Sequence, residues 1–170
     1  MSISVRQELP ADHEAIRTVH ELAFGWPDEA QIVVSLRDSP AYLPELSLAA
    51  EADGEIVGHV MLSTAKIEGE SSSWTALVLG PIGVPPSSQR RGIGSAMVHA
   101  ALERAAVMGY GAVFLIGHPT YYPRFGFVPA SRYGMKTTYN VPDEVFMVRL
   151  LRPDGVEGIT GTVVFPEAFR

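Results

Sequence analysis

Two arginines and two glycines stand at the start of a long helical pattern, in the stretch QRRGIGS of residues 89–95. The first turn of a helix carries backbone N–H groups without carbonyl partners, together with the positive end of the helix dipole. Because Gly92 and Gly94 have no side chains, a phosphate can approach those N–H groups, and Arg90 and Arg91 add positive charge. The pattern predicts a phosphate-binding helix N-terminus. The alternative is an ordinary capped surface helix whose glycines allow close packing.

Two familiar phosphate-binding motifs do not match this stretch. A P-loop places lysine and then Ser or Thr after its last glycine, but here Ser95 follows Gly94 directly. A dinucleotide-binding fingerprint has a third glycine at the position of Met97, and its turn follows the strand without a spacer. Here residues 85–88, PPSS, intervene. The stretch is therefore neither a P-loop nor a dinucleotide fingerprint.

The residues before this helix have the composition of a buried strand but include several that weaken a sheet. They are WTALVLGPIGV, residues 74–84, in which Pro81 cannot donate to a ladder and Gly80 and Gly83 reduce pairing. A bulge, or separation from a neighbouring strand, would remove this conflict and leave backbone groups free. The apolar run at 112–117 predicts the next buried strand, so strand, helix and strand form a βαβ unit.

Alternation and turn signals predict the elements that position this unit. A hairpin over 46–63 turns at the Asp-Gly pair of 53–54, which tolerates positive φ angles. Asp12 is predicted to cap a helix over 13–24, and a second helix covers 28–37. Further strands are predicted at 3–9, 145–151 and 161–166, and a short helical turn with a bend at 119–127.

The composition excludes several classes of protein. The chain has 170 residues, of which 46% are hydrophobic, and this suits one domain with a core. It has no cysteine, which excludes disulfides, thiolate metal sites and a cysteine nucleophile. The net charge of −6 argues against a nucleic-acid partner. Since no secretory leader or membrane-spanning run is visible, we expect a cytoplasmic protein without a membrane partner. The histidines lack metal-ligand spacing, so no metal is predicted.

A second motif joins the arginine–glycine stretch in a resemblance to the GNAT superfamily of N-acetyltransferases. That superfamily carries Gln/Arg-x-x-Gly-x-Gly/Ala after a bulged strand, which residues 89–94 match. The stretch TYYPRFGF resembles its later Tyr-x-x-x-Gly-Phe element, with Tyr122 four residues before Gly126. The order of elements matches from about Ile3 to Leu151, and the tail is similar to that of a bacterial branch of the family.

The resemblance implies an α/β (α+β) fold. Its sheet is expected to be mixed and mostly antiparallel, with a central splayed parallel βαβ unit and flanking helices. Residues 1–151 would form the acetyltransferase domain, and residues 152–170 a C-terminal extension whose late strand packs on the same domain.

The resemblance also implies acetyl-coenzyme A as the acyl donor. Amides at the start of the helix would hold its pyrophosphate. The backbone of residues 82–84 would pair with its pantetheine arm like an added strand, and an N–H there could stabilise the oxyanion. The residues expected to bind the donor are Ile82, Gly83, Val84, Gln89, Arg90, Arg91, Gly92, Ile93, Gly94 and Ser95.

Tyr122 matches the family's general acid for the departing thiolate. A phenol with a pKa of about 10 is a suitable proton donor to a thiolate whose thiol has a pKa of about 8.5. Tyr121 is the second candidate. Many family members place a glutamate on the bulged strand, but residues 77–84 contain no carboxylate. His118 is a candidate base because of its intrinsic pKa. A water chain, or an amine that arrives neutral, is equally open.

The acceptor is expected to be a primary amine of a small molecule or peptide, which attacks directly in a ternary complex. Candidates for the acceptor wall, chosen on position alone, are Phe24, Trp26, Glu29 and Tyr139. Two alternatives stay open: a non-catalytic acyl-coenzyme A binding module, and a phosphate-ligand enzyme of another class. The resemblance also leads us to expect a homodimer.

Overall fold

The computed structural model describes residues 2–170, which form three α-helices, nine strands and several short 3-10 turns. The helices are α1 (His13–Phe24), α2 (Asp28–Arg37) and α3 (Ile93–Val107). The strands are β1 (Ile3–Gln7), β2 (Tyr42–Ala52), β3 (Glu55–Glu68), β4 (Ser73–Gly83), β5 (Ala112–Ile116), β6 (Val128–Pro129), β7 (Met135–Thr137), β8 (Phe146–Leu150) and β9 (Gly161–Val164).

The strands of residues 2–170 form one mixed sheet. Its main path runs β1-β2-β3-β4-β5-β8-β6, and β9 pairs with both β3 and β7. The pairs β4–β5 and β7–β9 are parallel, while the other pairs are antiparallel. Helix α3 connects β4 to β5, which confirms the predicted βαβ unit. The mixed, mostly antiparallel fold class is confirmed with it.

Local signals placed most elements correctly. Helices α1 and α2 begin and end at the predicted residues. The β2–β3 hairpin turns at Asp53 and Gly54, whose φ angles of +51° and +80° are those a type I′ turn needs. The predicted cap is wrong, because the Asp12 side chain does not cap α1. Its carboxylate instead accepts the backbone N–H of Leu9 at 2.7 Å and pairs with Arg6.

The helices cover opposite faces of the sheet. Leu62 on β3 packs in the same cluster as the buried face of α3, whereas its neighbour Met61 packs with Ile16 of α1 and Val33 of α2. Successive residues of a strand point to opposite faces, so α3 lies on one side and α1 and α2 on the other. The predicted core stripe of α3 is buried: Ile93, Met97, Ala101 and Ala105. Within residues 2–170, none of the helices combines the length and apolarity that a membrane span needs.

The C-terminal residues return to the sheet. In register, Val164 of β9 lies opposite Lys66 of β3, and Gly161 lies opposite Met135 of β7. After β9 the chain continues along the α1–α2 face, and α2 contacts the turn at Glu167–Phe169. This packing supports the proposal that residues 152–170 extend the domain formed by residues 1–151.

Candidate active site

Strands β4 and β5 separate after a short parallel contact. They pair only where Leu77 lies opposite Val113 and Val78 lies opposite Phe114. The register between β3 and β4 also shifts here, because Leu79 pairs with Leu62 but Ile82 pairs with Val60. Gly80 and Pro81 therefore form a bulge opposite Met61. This is the irregularity that proline and glycine in a buried strand predicted.

A cavity of about 540 Å³ lies where the two strands separate. Its walls come from the β4 bulge, the end of β5, helices α1 and α2, and residues after β9. The lining residues are Phe24, Glu29, Ile32, Leu79, Gly80, Pro81, Ile82, Ile116, Gly117, His118, Tyr122, Tyr139, Val141, Phe165 and Phe169. The cavity brings together the two predicted catalytic side chains, Tyr122 and His118, with Ile82 from the predicted donor strand.

Tyr122 is held tightly against the end of β5. Its ring lies over Gly117, where an added Cβ would meet a ring carbon at 2.5 Å, so only glycine fits. The ring also packs edge to face on Tyr121 and on Phe127, with centroid distances of 5.1 and 5.8 Å. Burial, and next the neighbouring Tyr121, raise the pKa of Tyr122 to about 12. The phenol therefore keeps its proton throughout the neutral pH range.

The start of α3 follows the end of β4 and is an open helix N-terminus. We call its residues 91–95 the mouth of α3. The Gln89 side chain donates to the Val84 carbonyl at 3.0 Å and ties the loop to the strand. Arg90 and Gly92 have φ angles of +64° and +77°, and Gly92 stands at the N-cap position. The side chain of Tyr121 reaches this mouth, since an added Cβ at Gly94 would lie 3.0 Å from its hydroxyl.

Three of the four residues proposed for the acceptor wall line the cavity, and one does not. Phe24, Glu29 and Tyr139 are in the lining. Trp26 is not; it is 58% exposed and donates its indole N–H to Glu29 Oε2 at 2.6 Å. The C-terminal aromatic residues of the lining were missed, because no local pattern indicates that the tail folds back to this point.

Sequence reasoning also missed a buried polar network on the α1–α2 side of the sheet. Glu8 accepts a hydrogen bond from Arg37 Nη2 at 2.6 Å and contacts the hydroxyl of Ser47. Ser47 Oγ lies 3.0 Å from His59 Nε2, and His59 Nδ1 lies 2.8 Å from His20 Nε2. Both histidine side chains are fully buried. The residues come from separate elements, so no sequence spacing reveals the network.

Burial sets the protonation of this network. It lowers the pKa of His20 to about 3, with contributions from His59 and Arg37, and it also lowers the pKa of His59. Burial opposes the ionisation of Glu8, but hydrogen bonds from His59 and Arg37, together with the charge of Arg37, bring the pKa of that carboxyl below its usual value. The network therefore contains neutral imidazoles beside a carboxylate that is ionised at neutral pH.

We expect the free energy of unfolding to fall as the pH drops below about 6.5, because the unfolded histidines bind protons that the folded ones do not. For His20, with a folded pKa of about 3, the loss is about 1.4 kcal/mol per pH unit, or about 2 kcal/mol at pH 5. Urea unfolding across this range measures it. His20→Gln should flatten the slope, whereas His99→Gln, at an exposed histidine of α3, should not. Equal slopes in the two variants would contradict the expectation.

Comparison with known proteins identifies the family to which this fold and site belong. The model of an acetyltransferase (GNAT) domain matches residues 4–130. The chain belongs to the GNAT family of acetyltransferases. The resemblance drawn from the two sequence motifs is thereby confirmed, as is the assignment to the acyltransferases.

Relatives of this GNAT acetyltransferase include both sequences and solved structures. The uncharacterized N-acetyltransferase YjhQ of Escherichia coli K12 is 38% identical over 135 residues, which are 79% of this chain and 75% of that protein. The crystal structure of YhbS from Escherichia coli with CoA has 29% identity and a TM-score of 0.90, and covers 98% of this chain and 91% of its own. A GNAT family acetyltransferase from Brucella melitensis with acetyl-CoA has 32% identity and a TM-score of 0.79, with 99% of each chain covered.

Proposed function

We propose that this GNAT acetyltransferase moves the acetyl group of acetyl-coenzyme A to a primary amine of a small molecule or peptide, by direct attack in a ternary complex. The observation that carries the proposal is the adjacency of two features, the open mouth of α3 and the cavity that holds Tyr122. Neighbouring tyrosines connect them, since Tyr121 reaches the mouth and Tyr122 lines the cavity. The relatives crystallised with CoA and acetyl-CoA support the choice of donor.

The mouth of α3 suits the diphosphate of that donor. The N–H groups of residues 93–95 lie in the first helical turn, where the helix itself offers them no carbonyl. A Cβ added at Gly92 would meet nothing within 4 Å, so the space there is open. We assign the diphosphate to the amides of residues 91–95. The pantetheine arm is assigned to residues 82–84, at the edge of β4 that β5 leaves unpaired.

The donor supplies an acetyl thioester, and the protein positions it and manages protons. Tyr122 keeps its proton because its pKa is raised to about 12, so it can donate a hydrogen bond to the leaving sulfur. A backbone N–H of residues 82–84 stabilises negative charge on the carbonyl oxygen. Since residues 77–84 carry no carboxylate, the proton acceptor lies elsewhere, and His118 at the end of β5 is one candidate.

The lining of the cavity favours a cationic amine attached to an apolar body. Phe24, Tyr139, Phe165 and Phe169 give it aromatic surface, and Glu29 gives it a carboxylate. An ammonium group is attracted both to a carboxylate and to the faces of aromatic rings. We therefore propose an aromatic or aliphatic primary amine as the acceptor.

We expect Glu29→Gln to raise the KM for a cationic amine about 10-fold and to leave the Kd for acetyl-coenzyme A unchanged. Glutamine keeps the size of the side chain but removes the charge that attracts the ammonium group. Steady-state kinetics and calorimetry separate the two constants. Asp28→Asn is the matched control, because Asp28 is the exposed neighbour of Glu29 in the first turn of α2. An equal rise in KM for the two variants would contradict a specific role for Glu29.

The proposal is tested by measuring thiol release from acetyl-coenzyme A with a panel of primary amines, beside calorimetry of donor binding. Thiol release that depends on an amine supports the enzyme. Binding of the donor without thiol release for any amine would favour a non-catalytic acyl-coenzyme A binding module. The absence of a carboxylate from residues 77–84 is consistent with such a module. Absence of donor binding would overturn both functions.

A further inference from the structure

One nitrogen of the buried network lacks a partner. His20 Nε2 is bonded to His59, but His20 Nδ1 has no hydrogen bond within the described residues, although the side chain is fully buried. It faces β4, where a Cβ added at Gly83 would lie 2.9 Å from it. Leaving a buried polar atom unpaired is unfavourable, because the atom loses its hydrogen bonds to water and gains none. A histidine with a purely structural role would normally have both of its ring nitrogens bonded.

The hydrogen bonds of the network fix which ring nitrogens carry protons. Arg37 holds Glu8 as a carboxylate, which can only accept, so the Ser47 hydroxyl donates to it. The oxygen of Ser47 then accepts from His59 Nε2–H, and His59 Nδ1 accepts from His20 Nε2–H. His20 Nδ1 is left with a free lone pair. The network is thus a one-directional chain that begins with a proton acceptor.

One end of this chain, Glu8, lines a cavity, and residues next to the other end, His20, line a different one. Phe24, one turn after His20 on α1, stacks on the imidazole with the ring centroids 6.1 Å apart. Phe24 lines the 540 Å³ cavity proposed for the acceptor, called here the acceptor cavity, as does Ile82 beside Gly83. At the other end, Glu8 lines a second cavity of about 680 Å³ with His13. His13 Nε2 lies 3.2 Å from Glu8 Oε2, and its side chain is 42% exposed.

We propose that His20, His59, Ser47 and Glu8 form a proton relay that takes the proton of the attacking amine and releases it to solvent beside His13. The proposal rests on the proposed function. As the bond from nitrogen to the acetyl carbon forms, the proton of the nitrogen reaches His20 Nδ1 past Gly83 through one bridging water, since His20 itself does not line the cavity. His20 Nε2–H passes to His59 Nδ1, and His59 Nε2–H passes to Ser47.

The Ser47 proton completes the transfer by moving to Glu8, from which His13 returns it to solvent. Both imidazoles end neutral with their tautomers exchanged, so no charge stays on a buried ring. Burial makes a lasting imidazolium unfavourable here, and this supports a relay over a histidine that holds the proton. The charged and titratable groups that face the relay from neighbouring elements are His13, Arg37 and Tyr42.

The first test needs no activity. Long-range proton–nitrogen NMR of the unliganded protein reports the tautomer of each ring. We expect neutral His20 and His59 with the proton on Nε2 at about pH 7. A proton on His20 Nδ1 would make that atom a donor and overturn the relay.

The second test uses the amine of the panel that is acetylated fastest. We expect His20→Gln to lower kcat/KM about 100-fold at neutral pH and less at higher pH, where solvent takes the proton. Donor affinity should stay within about twofold, since His20 does not line the cavity. Ser47→Ala interrupts the chain with a smaller change and should give the same pH-dependent loss. His99→Gln, at the exposed histidine of α3, should match the wild type.

Four results of the activity test would overturn the relay. A loss that is uniform across pH in His20→Gln and Ser47→Ala would indicate a structural role. A pH-dependent loss in His118→Gln, with none in His20→Gln, would assign the proton acceptor to His118. If the wild type binds acetyl-coenzyme A but acetylates no amine, the proposed function fails and the relay to an amine fails with it. If the wild type acetylates an amine and His20→Gln has the same pH profile as the wild type, only the relay fails.

Discussion

We expect Tyr122→Phe to lower kcat for amine acetylation by about 100- to 1,000-fold, with the Kd for acetyl-coenzyme A within about twofold of the wild type. The substitution removes only the hydroxyl proposed to donate to the leaving sulfur. The ring keeps its packing on Gly117, Tyr121 and Phe127. Thiol release under saturating donor and amine measures kcat, and calorimetry measures the Kd.

Two other tyrosines serve as controls for this result. The Tyr121 hydroxyl lies at Gly94 in the mouth of α3, so Tyr121→Phe should act on donor affinity more than on kcat. Tyr110 lies beyond the opposite end of α3 and outside the acceptor cavity, so Tyr110→Phe should leave both constants unchanged. If Tyr121→Phe abolishes turnover while Tyr122→Phe retains it, the general acid is Tyr121.

Gly92→Val should weaken acetyl-coenzyme A binding about 100-fold, as expected for the loss of charge-assisted hydrogen bonds from backbone amides. Gly92 has a φ of +77°, a conformation that a β-branched residue adopts only under strain. The backbone must relax, and the amides of residues 91–95 lose the alignment proposed for the diphosphate. Calorimetry gives the Kd, and urea unfolding gives the accompanying change in stability.

Gly109→Val is the matched control at the other end of the same helix. Gly109 has a φ of +93°, and an added Cβ there also meets nothing within 4 Å. Both variants should lose about 1–2 kcal/mol of stability from left-handed strain. Only Gly92→Val should lose affinity for the donor. Similar donor affinities in the two variants would contradict binding of the diphosphate at the mouth of α3.

The elements were predictable because their signals are local. Helices α1 and α2, the turn at Asp53 and Gly54 and the buried stripe of α3 follow from residue types at neighbouring positions. The short strands β6 and β7 escaped prediction, since a strand of two or three residues is too brief for alternation to show. Asp12 illustrates another limit. Its residue type suits a helix cap, but Arg6 and Leu9 lie close enough to engage it first.

The site was less predictable than the elements, because its residues are distant from one another in the sequence. Pro81 and its neighbouring glycines indicated an irregular strand, but only the pairing of β4 with β3 and β5 located the opening. Trp26 was expected in the acceptor wall, yet it faces solvent, and Phe165 and Phe169 line the cavity from the far end of the chain. The position of a residue relative to a motif does not indicate which C-terminal side chains lie beside the cavity in the folded protein.

The sequence by itself determined the family, the βαβ unit with its glycine-lined helix mouth, and the motif that contains Tyr122. These depend on backbone conformation and on short spacings, which local residue types control. Only the tertiary structure decided which side chains share the acceptor cavity, and that His20, His59, Ser47 and Glu8 connect through the interior. Those contacts depend on strand register and on how α1 packs against the sheet, and neither leaves a pattern among neighbouring residues.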